Sequence, residues 1–247
     1  MLRKEGGHVR DDETDRAVAK RDEPYLSALT YIVSHDLRSP LNTLGGLLQL
    51  LKEDHAEELS GEGGEILALL AGSVERLKGT VSGVEGVISA LALSPELCAV
   101  NVQEVVQNVV AESRDEILKC GAQVEIGALP ELQANGAALR RLFSNLLANT
   151  LKFTVAAPDR PSIEIGVDDN APECTFYVRD NGPGMDAQNQ ERLQRLFSGN
   201  QRRGDVSGAG LGLAICRRCA ELHGGRIWVD EQRRSGTQVN VFIPTKR

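Results

Sequence analysis

Four short stretches place reactive or ligand-binding side chains at spacings that could do chemistry. The first, Ser34-His35-Asp36-Leu37-Arg38-Ser39-Pro40-Leu41, sets an imidazole beside a carboxylate, a pair able to exchange a proton. Taken alone, such a pair is also what any charged helix surface shows. The second is Asn145-Leu146-Leu147-Ala148-Asn149-Thr150-Leu151-Lys152. Residues four apart share a helix face, so the amides of Asn145 and Asn149 project together and Lys152, three further on, stays near them. Two amides and an ammonium suit a metal ion and phosphate oxygens, although a solvated helix face has the same composition. The third, Asp180-Asn181-Gly182-Pro183-Gly184, follows an apolar run. Its glycines permit close approach of backbone to a ligand, and its carboxylate can accept from an exocyclic amine; an Asx turn is the plainer alternative. The fourth, Gly208-Ala209-Gly210-Leu211-Gly212-Leu213, leads into a helix whose first N–H groups form an anion site. It has neither the spacing of a dinucleotide fingerprint nor the Gly-Lys-Ser/Thr of a P-loop, and a tight loop-to-helix entry would use the same glycines.

The elements that must position these residues fall into two patterns. From Leu37, apolar residues recur at Leu41, Leu44, Leu48 and Leu51, the seam of a helix packed in a bundle. After a break at Ser60 to Gly64 the rhythm resumes at Ile66, Leu70, Ser73, Leu77, Thr80, Val84, Val87 and Leu91, and closes near Ser94-Pro95. Two long helices with a short loop make an antiparallel hairpin, with a kink expected at Pro40. One hairpin leaves part of its apolar surface wet, and pairing of two copies into a four-helix bundle covers it. Gly72, Gly79, Gly83 and Gly86 predict a second helix that is weakly held or closely packed where they sit.

Beyond Pro95 short helices and strands alternate. The pattern predicts helices near 102–118, 137–152 and 211–222, with strands at 123–127, 162–167, 175–179, 226–230 and 237–243. That is an α+β sandwich, with helices on one face of a mixed sheet. Residues 185–208 are polar and read as a long loop. The domain reading is therefore 1–24 a charged tail or connecting helix, 25–95 the hairpin and 96–247 the sandwich.

Composition excludes several classes. The 247 residues carry a formal charge of -7, which argues against a nucleic-acid stripe. No run of 18 apolar residues exists, so no membrane span or secretory signal is visible, and a cytoplasmic protein is expected. Five scattered cysteines read as reduced thiols, with Cys216-x-x-Cys219 packed inside a helix.

In order and spacing together, the last three stretches resemble the N, G1 and G2 boxes of the histidine-kinase ATP-binding domain, which belongs to the wider GHKL-type fold of gyrase, heat-shock chaperone and mismatch-repair ATPases. The first stretch resembles the H box of the same family's dimerisation and phosphotransfer hairpin. The resemblance covers roughly residues 25 to 245, including the closing "GGRIWVDEQRRSGTQVNVFIP". It implies an ATP-dependent protein-histidine kinase in which His35 is the phospho-accepting nucleophile and Asp36 the general base. It matches Asn149 to a magnesium-chelating asparagine, with Asn145 and Lys152 nearby in the nucleotide site. Asp180 would read the adenine, Gly182 and Gly184 would shape its pocket, and Gly208, Gly210 and Gly212 would offer backbone donors to the phosphates. Residues 185–208 would form the ATP lid, with Phe197 nearest to the family's phenylalanine box. The implied partners are a second copy of the chain, a receiver domain whose aspartate takes the phosphoryl group, and a sensor module in a separate protein or in a longer one of which this is the output portion. Against the pattern, Ser39 stands where members with phosphatase activity carry Thr or Asn, and Thr150 where alanine is common. The rival within the fold is a phosphotransfer or scaffold protein without ATP turnover. A chaperone-type ATPase would need a glutamate in the N-box helix, and residues 140–152 contain no acid.

Overall fold

The computed structural model describes residues 36–55, 61–154, 160–168, 174–184, 190–191, 194–195, 209–230, 233 and 235–244. His35, Phe197, Gly208 and the tail 1–24 lie outside the described residues. The chain divides into two compact units, Met1–Ala92 and Leu93–Arg247.

The first unit is a hairpin of α1 (Arg38–Asp54) and α2 (Glu62–Leu91). Pro40 stands in the first turn of α1, where its missing N–H costs little, directly after a wider π-type turn at Asp36 and Leu37. The irregularity expected at this proline therefore lies on its N-terminal side. The inner seam differs from the leucine seam read in the sequence. On α1 the partly shielded positions are Leu41, Gly45 and Leu48, whereas Leu37, Leu44 and Leu51 are exposed. On α2 the shielded line runs Leu67, Ala71, Val74, Lys78, Val81, Glu85 and Ile88, in alternating steps of four and three one residue out of phase with the expected one. The reason is that each helix is apolar over two adjacent stripes, and a single partner helix covers only one. Leu44, Leu47, Leu69, Leu70 and Leu77 stay about half exposed or more. At Gly79 an added Cβ would meet nothing within 4 Å, so close packing within this chain does not account for that glycine. The helix ends at Leu91, the last apolar position of the expected rhythm and three residues before Ser94-Pro95.

The second unit is a two-layer sandwich. Its sheet has strand order β2-β4-β5-β7-β6, with β2 (Gln123–Ile126), β4 (Ser162–Val167), β5 (Thr175–Asp180), β6 (Arg226–Val229) and β7 (Gln238–Phe242). The β2–β4 pair is parallel and the other three are antiparallel, so the sheet is mixed as expected. A separate antiparallel ladder, β1 (Cys98–Asn101) with β3 (Glu131–Ala134), has no counterpart in the sequence reading. The single helix expected over 102–118 is two. α3 (Val102–Glu112) buries Val102, Val106 and Val109, α4 (Arg114–Cys120) buries nothing, and the chain turns away at Ser113 once the apolar stripe ends.

The core centres on α5 (Gly136–Thr154), whose Leu139, Leu142, Phe143, Leu146 and Leu147 are fully or almost fully buried. Their spacing of three and four makes one broad apolar face. It lies on Ile163, Ile165, Phe176 and Val178 of the sheet, with Phe143 and Phe176 edge to face at 5.7 Å. α6 (Ala209–Leu222) packs beside α5 and buries Cys216 and Cys219, both free thiols that burial pushes up in pKa. Among the described residues no helix is long and apolar enough to cross a membrane.

Candidate nucleotide site

Helices α5 and α6 run antiparallel, a register marked by three contacts. Gly212 meets Asn145 and Asn149, the Cys216 thiol meets the Leu142 carbonyl at 3.7 Å, and the Asn135 N–H donates to Nε2 of His223 at 2.9 Å. The first turn of α6 is thereby brought to the asparagine face of α5. A Cβ on Gly212 would stand 3.1 Å from Asn145 Oδ1 and 3.4 Å from Asn149 Nδ2, so this position admits little beyond hydrogen. Asn145 Nδ2 donates to the Arg141 carbonyl at 2.8 Å, which orients its Oδ1 toward Gly212. Asn149 Nδ2 is buried with no hydrogen-bond partner among the described residues. A buried orphan amide is costly unless a ligand satisfies it.

Asp180 ends β5 almost fully buried, at 6% exposure. Its Oδ1 accepts from two backbone N–H groups, Gly182 at 2.9 Å and Thr237 at 3.0 Å. That saturates one oxygen and leaves Oδ2 for a ligand. Burial pushes the carboxyl above the ordinary aspartate range, opposed by these two N–H groups and by the charge of Arg233. A Cβ on Gly182 would lie 3.5 Å from the Phe153 carbonyl, so the turn abuts the C-terminal end of α5. Gly184 has φ 77°, a conformation open to glycine and costly for other residues. Asn181 fastens the turn to the neighbouring strand, accepting from Ser162 N at 2.8 Å and donating to the Arg160 carbonyl at 2.9 Å.

The structure thus brings Asn145, Asn149, Asp180, Gly182 and Gly212 around one end of α5, with Gly210 in the first turn of α6. Lys152 is exposed, and its ammonium lies 5.7 Å from the ring centroid of Phe153; among the described residues no hydrogen bond or ion pair joins it to the asparagines. Asp36 is exposed in the hairpin unit, while His35 and Gly208 lie outside the described residues.

Sequence reasoning missed Gly236 and Thr237. Pairing of β5 with β7 sets them against Asp180: Asp180 N donates to the Thr237 carbonyl at 2.9 Å, and Gly236 N to the Gly182 carbonyl at 3.0 Å. The available signal was Ser235-Gly236-Thr237 at the mouth of the last strand, which reads as an ordinary turn. Gly236 has φ 71°, and a Cβ there would stand 1.9 Å from the Asp180 carbonyl oxygen. Gly236→Ala is accordingly expected to destabilise this unit by about 3 kcal/mol or more, combining a left-handed backbone with a steric clash. Urea unfolding followed through Trp228, the only tryptophan, measures it; an unchanged midpoint would refute the assignment.

The donor set fits a nucleotide with a divalent cation: the orphan Nδ2 of Asn149 can donate to a phosphate oxygen while its Oδ1 ligates the cation, Asp180 keeps one carboxylate oxygen for the base, and the helix start at Gly210 and Gly212 offers backbone N–H groups to phosphates.

Comparison with known proteins agrees with the order of the two units. The His Kinase A (phospho-acceptor) domain family matches residues 25–85. The Histidine kinase-, DNA gyrase B-, and HSP90-like ATPase family matches residues 134–247. The phytochrome-like protein Cph1 of Synechocystis sp. is 32% identical over 91% of this chain and 30% of its own length. The methanogenesis regulatory histidine kinase FilI of Methanothrix harundinacea is 34% identical over 89% of this chain and 25% of its own length. The chain therefore spans under a third of the length of these relatives. Full-length ShkA, solved in complex with AMPPNP, shares the fold at TM-score 0.57 and 23% identity, over 91% of this chain and 47% of that one. Histidine kinase AdeS of Acinetobacter baumannii does so at TM-score 0.55 and 18% identity, over 86% and 98%. With a phospho-acceptor hairpin preceding an ATPase sandwich, the chain belongs to the histidine kinase family.

Proposed function

We propose that the chain is an ATP-dependent protein-histidine kinase that phosphorylates His35 and passes the phosphoryl group to an aspartate of a response-regulator receiver. The observation that carries this reading is the convergence of Asn149, Asp180 and Gly212 on one end of α5, in a chain whose hairpin bears the His35-Asp36 pair. The Asp180 carboxylate, held by two backbone N–H groups, accepts from the exocyclic amine of adenine. The first-turn N–H groups of α6 receive the phosphates, and Asn149 would hold magnesium, with Asn145 beside it in the nucleotide site. Bound there, magnesium neutralises charge on the phosphate oxygens. His35 supplies the attacking nitrogen, and the bond from phosphorus to the oxygen of the leaving ADP breaks as the new N–P bond forms. Asp36 takes the proton from the other ring nitrogen. Transfer onward exchanges that N–P bond for an acyl phosphate on the receiver.

The exposed stripe of Leu44, Leu47, Leu69, Leu70 and Leu77 supports a homodimer joined through the hairpins into a four-helix bundle. Introducing Leu44→Glu together with Leu47→Glu is expected to halve the mass measured by light scattering at micromolar concentration, since two carboxylates would enter an apolar interface. An unchanged mass would place the interface elsewhere. The kinase acts in the cytoplasm, where ATP and receivers are available, with its input from a sensor module.

The test is incubation with γ-labelled ATP and magnesium. A label on the chain that is acid-labile and alkali-stable, and that moves to a purified receiver domain, supports the reading. Nucleotide binding without label in the presence of magnesium would leave the scaffold alternative.

A further inference from the structure

The inner seam of the hairpin contains charges where a helix pair ordinarily places apolar residues. Glu85 and Lys78 occupy seam positions of α2, in step with Val74, Val81 and Ile88. Arg38 occupies the corresponding position of α1, three before Leu41. Its Nη2 donates to Glu85 Oε2 at 2.5 Å and to Ser82 Oγ at 3.2 Å, joining the two helices through residues 47 and 44 apart in sequence. The Glu85 side chain is 12% exposed against 48% for Arg38, and Glu85 Oε1 is buried with no hydrogen-bond partner among the described residues. Two turns further along α1, Gly45 admits the second seam charge, since a Cβ there would stand 2.6 Å from Lys78 Nζ.

A half-buried ion pair with one carboxylate oxygen unsatisfied is a poor device for stability, because well-packed apolar residues serve at least as well. Polar groups at seam positions do fix one register between helices, since any slide leaves the charge buried and alone. What this pair fixes is the end of α1 that carries the H-box stretch. Asp36, Leu37, Ser39 and Pro40 are all exposed, and no side chain caps the helix start. The Arg38–Glu85 pair ties this exposed turn to α2, and phosphoryl transfer is sensitive to displacements near 1 Å.

We propose that Glu85 is a positioning residue for the phosphotransfer, holding the H-box turn in register through Arg38. This rests on the kinase reading above. Glu85→Gln keeps the size of the side chain and removes its charge. The expected result is a fall of about tenfold in the maximal rate of labelling by γ-labelled ATP, with an unchanged KM for ATP because the nucleotide residues lie in the other unit. The exchanged pair Arg38→Glu with Glu85→Arg is expected to recover labelling to within about threefold of wild type, since either polarity fixes the register. A third variant, Arg38→Leu with Glu85→Leu, is expected to melt no lower than wild type yet to label as slowly as Glu85→Gln. Wild-type labelling rates in Glu85→Gln or in the double leucine variant would overturn the proposal, as would an exchanged pair no better than the single variants. A wild-type chain that binds nucleotide but takes no label would overturn the kinase reading instead, and this inference with it.

Discussion

Replacing His35 by glutamine is expected to lower acid-labile labelling by γ-labelled ATP to less than about 1% of wild type, with nucleotide affinity unchanged. Glutamine retains length and polarity, but an amide nitrogen shares its lone pair with the carbonyl and does not attack phosphorus. Among the described residues the inner seam of the hairpin uses Leu41, Leu48, Val74, Val81 and Ile88. The nucleotide residues belong to the other unit, so affinity is a separate readout. Asp36→Asn gives a graded companion. It keeps a hydrogen-bond acceptor beside the histidine and removes the group that takes the proton, which corresponds to a loss of about 100-fold or more in rate. Residual alkali-stable label in His35→Gln would move the nucleophile to another residue.

Asp180→Asn is expected to cost about 100-fold or more in ATP affinity while leaving the unit folded. Two backbone donors, Gly182 and Thr237 N–H, converge on Oδ1 and fix the orientation of any amide placed there. The carbonyl oxygen of asparagine must face them, so its NH2 replaces Oδ2 and opposes the adenine amine, donor against donor. Asp180→Ala is a different lesion. It leaves both N–H groups without an acceptor in a buried site and should destabilise the unit by roughly 2–5 kcal/mol in addition to losing affinity. Calorimetric titration of each folded variant, with a melt of each, separates recognition from support; equal destabilisation by both substitutions would contradict the assignment. The pH dependence follows from the upward shift of this carboxyl by burial. Recognition needs the ionised form, so affinity falls as pH drops through the raised value. Stability runs the other way: the folded state binds this proton more tightly than the unfolded chain, so Asp180 contributes a loss of stability as pH rises from the ordinary aspartate value to the raised one.

Much of this protein follows from side-chain type and local spacing. The 3.6-residue rhythm of Leu139, Leu142, Leu146 and Leu147 is a property of the chain itself, and it puts Asn145 and Asn149 on a face flanking the buried one before any partner is known. The strands at 162–167 and 175–180 alternate strongly enough to be read directly, as do the glycines that end one strand and begin α6. What local spacing cannot contain is a contact between distant segments. Gly236 and Thr237 matter because β7 pairs with β5 in one register, which delivers a backbone N–H to Asp180 from 57 residues away. Gly212 matters because α6 lies against α5, where its missing side chain makes room for two amides. The hairpin shows the same division within a single element. Apolar periodicity established that α1 and α2 pair, but each carries two adjacent apolar stripes, and periodicity treats them alike. Only packing of one helix on the other selected the line through Lys78 and Glu85 as the inner one, because Gly45 and Arg38 opposite supply the room and the charge that those residues require.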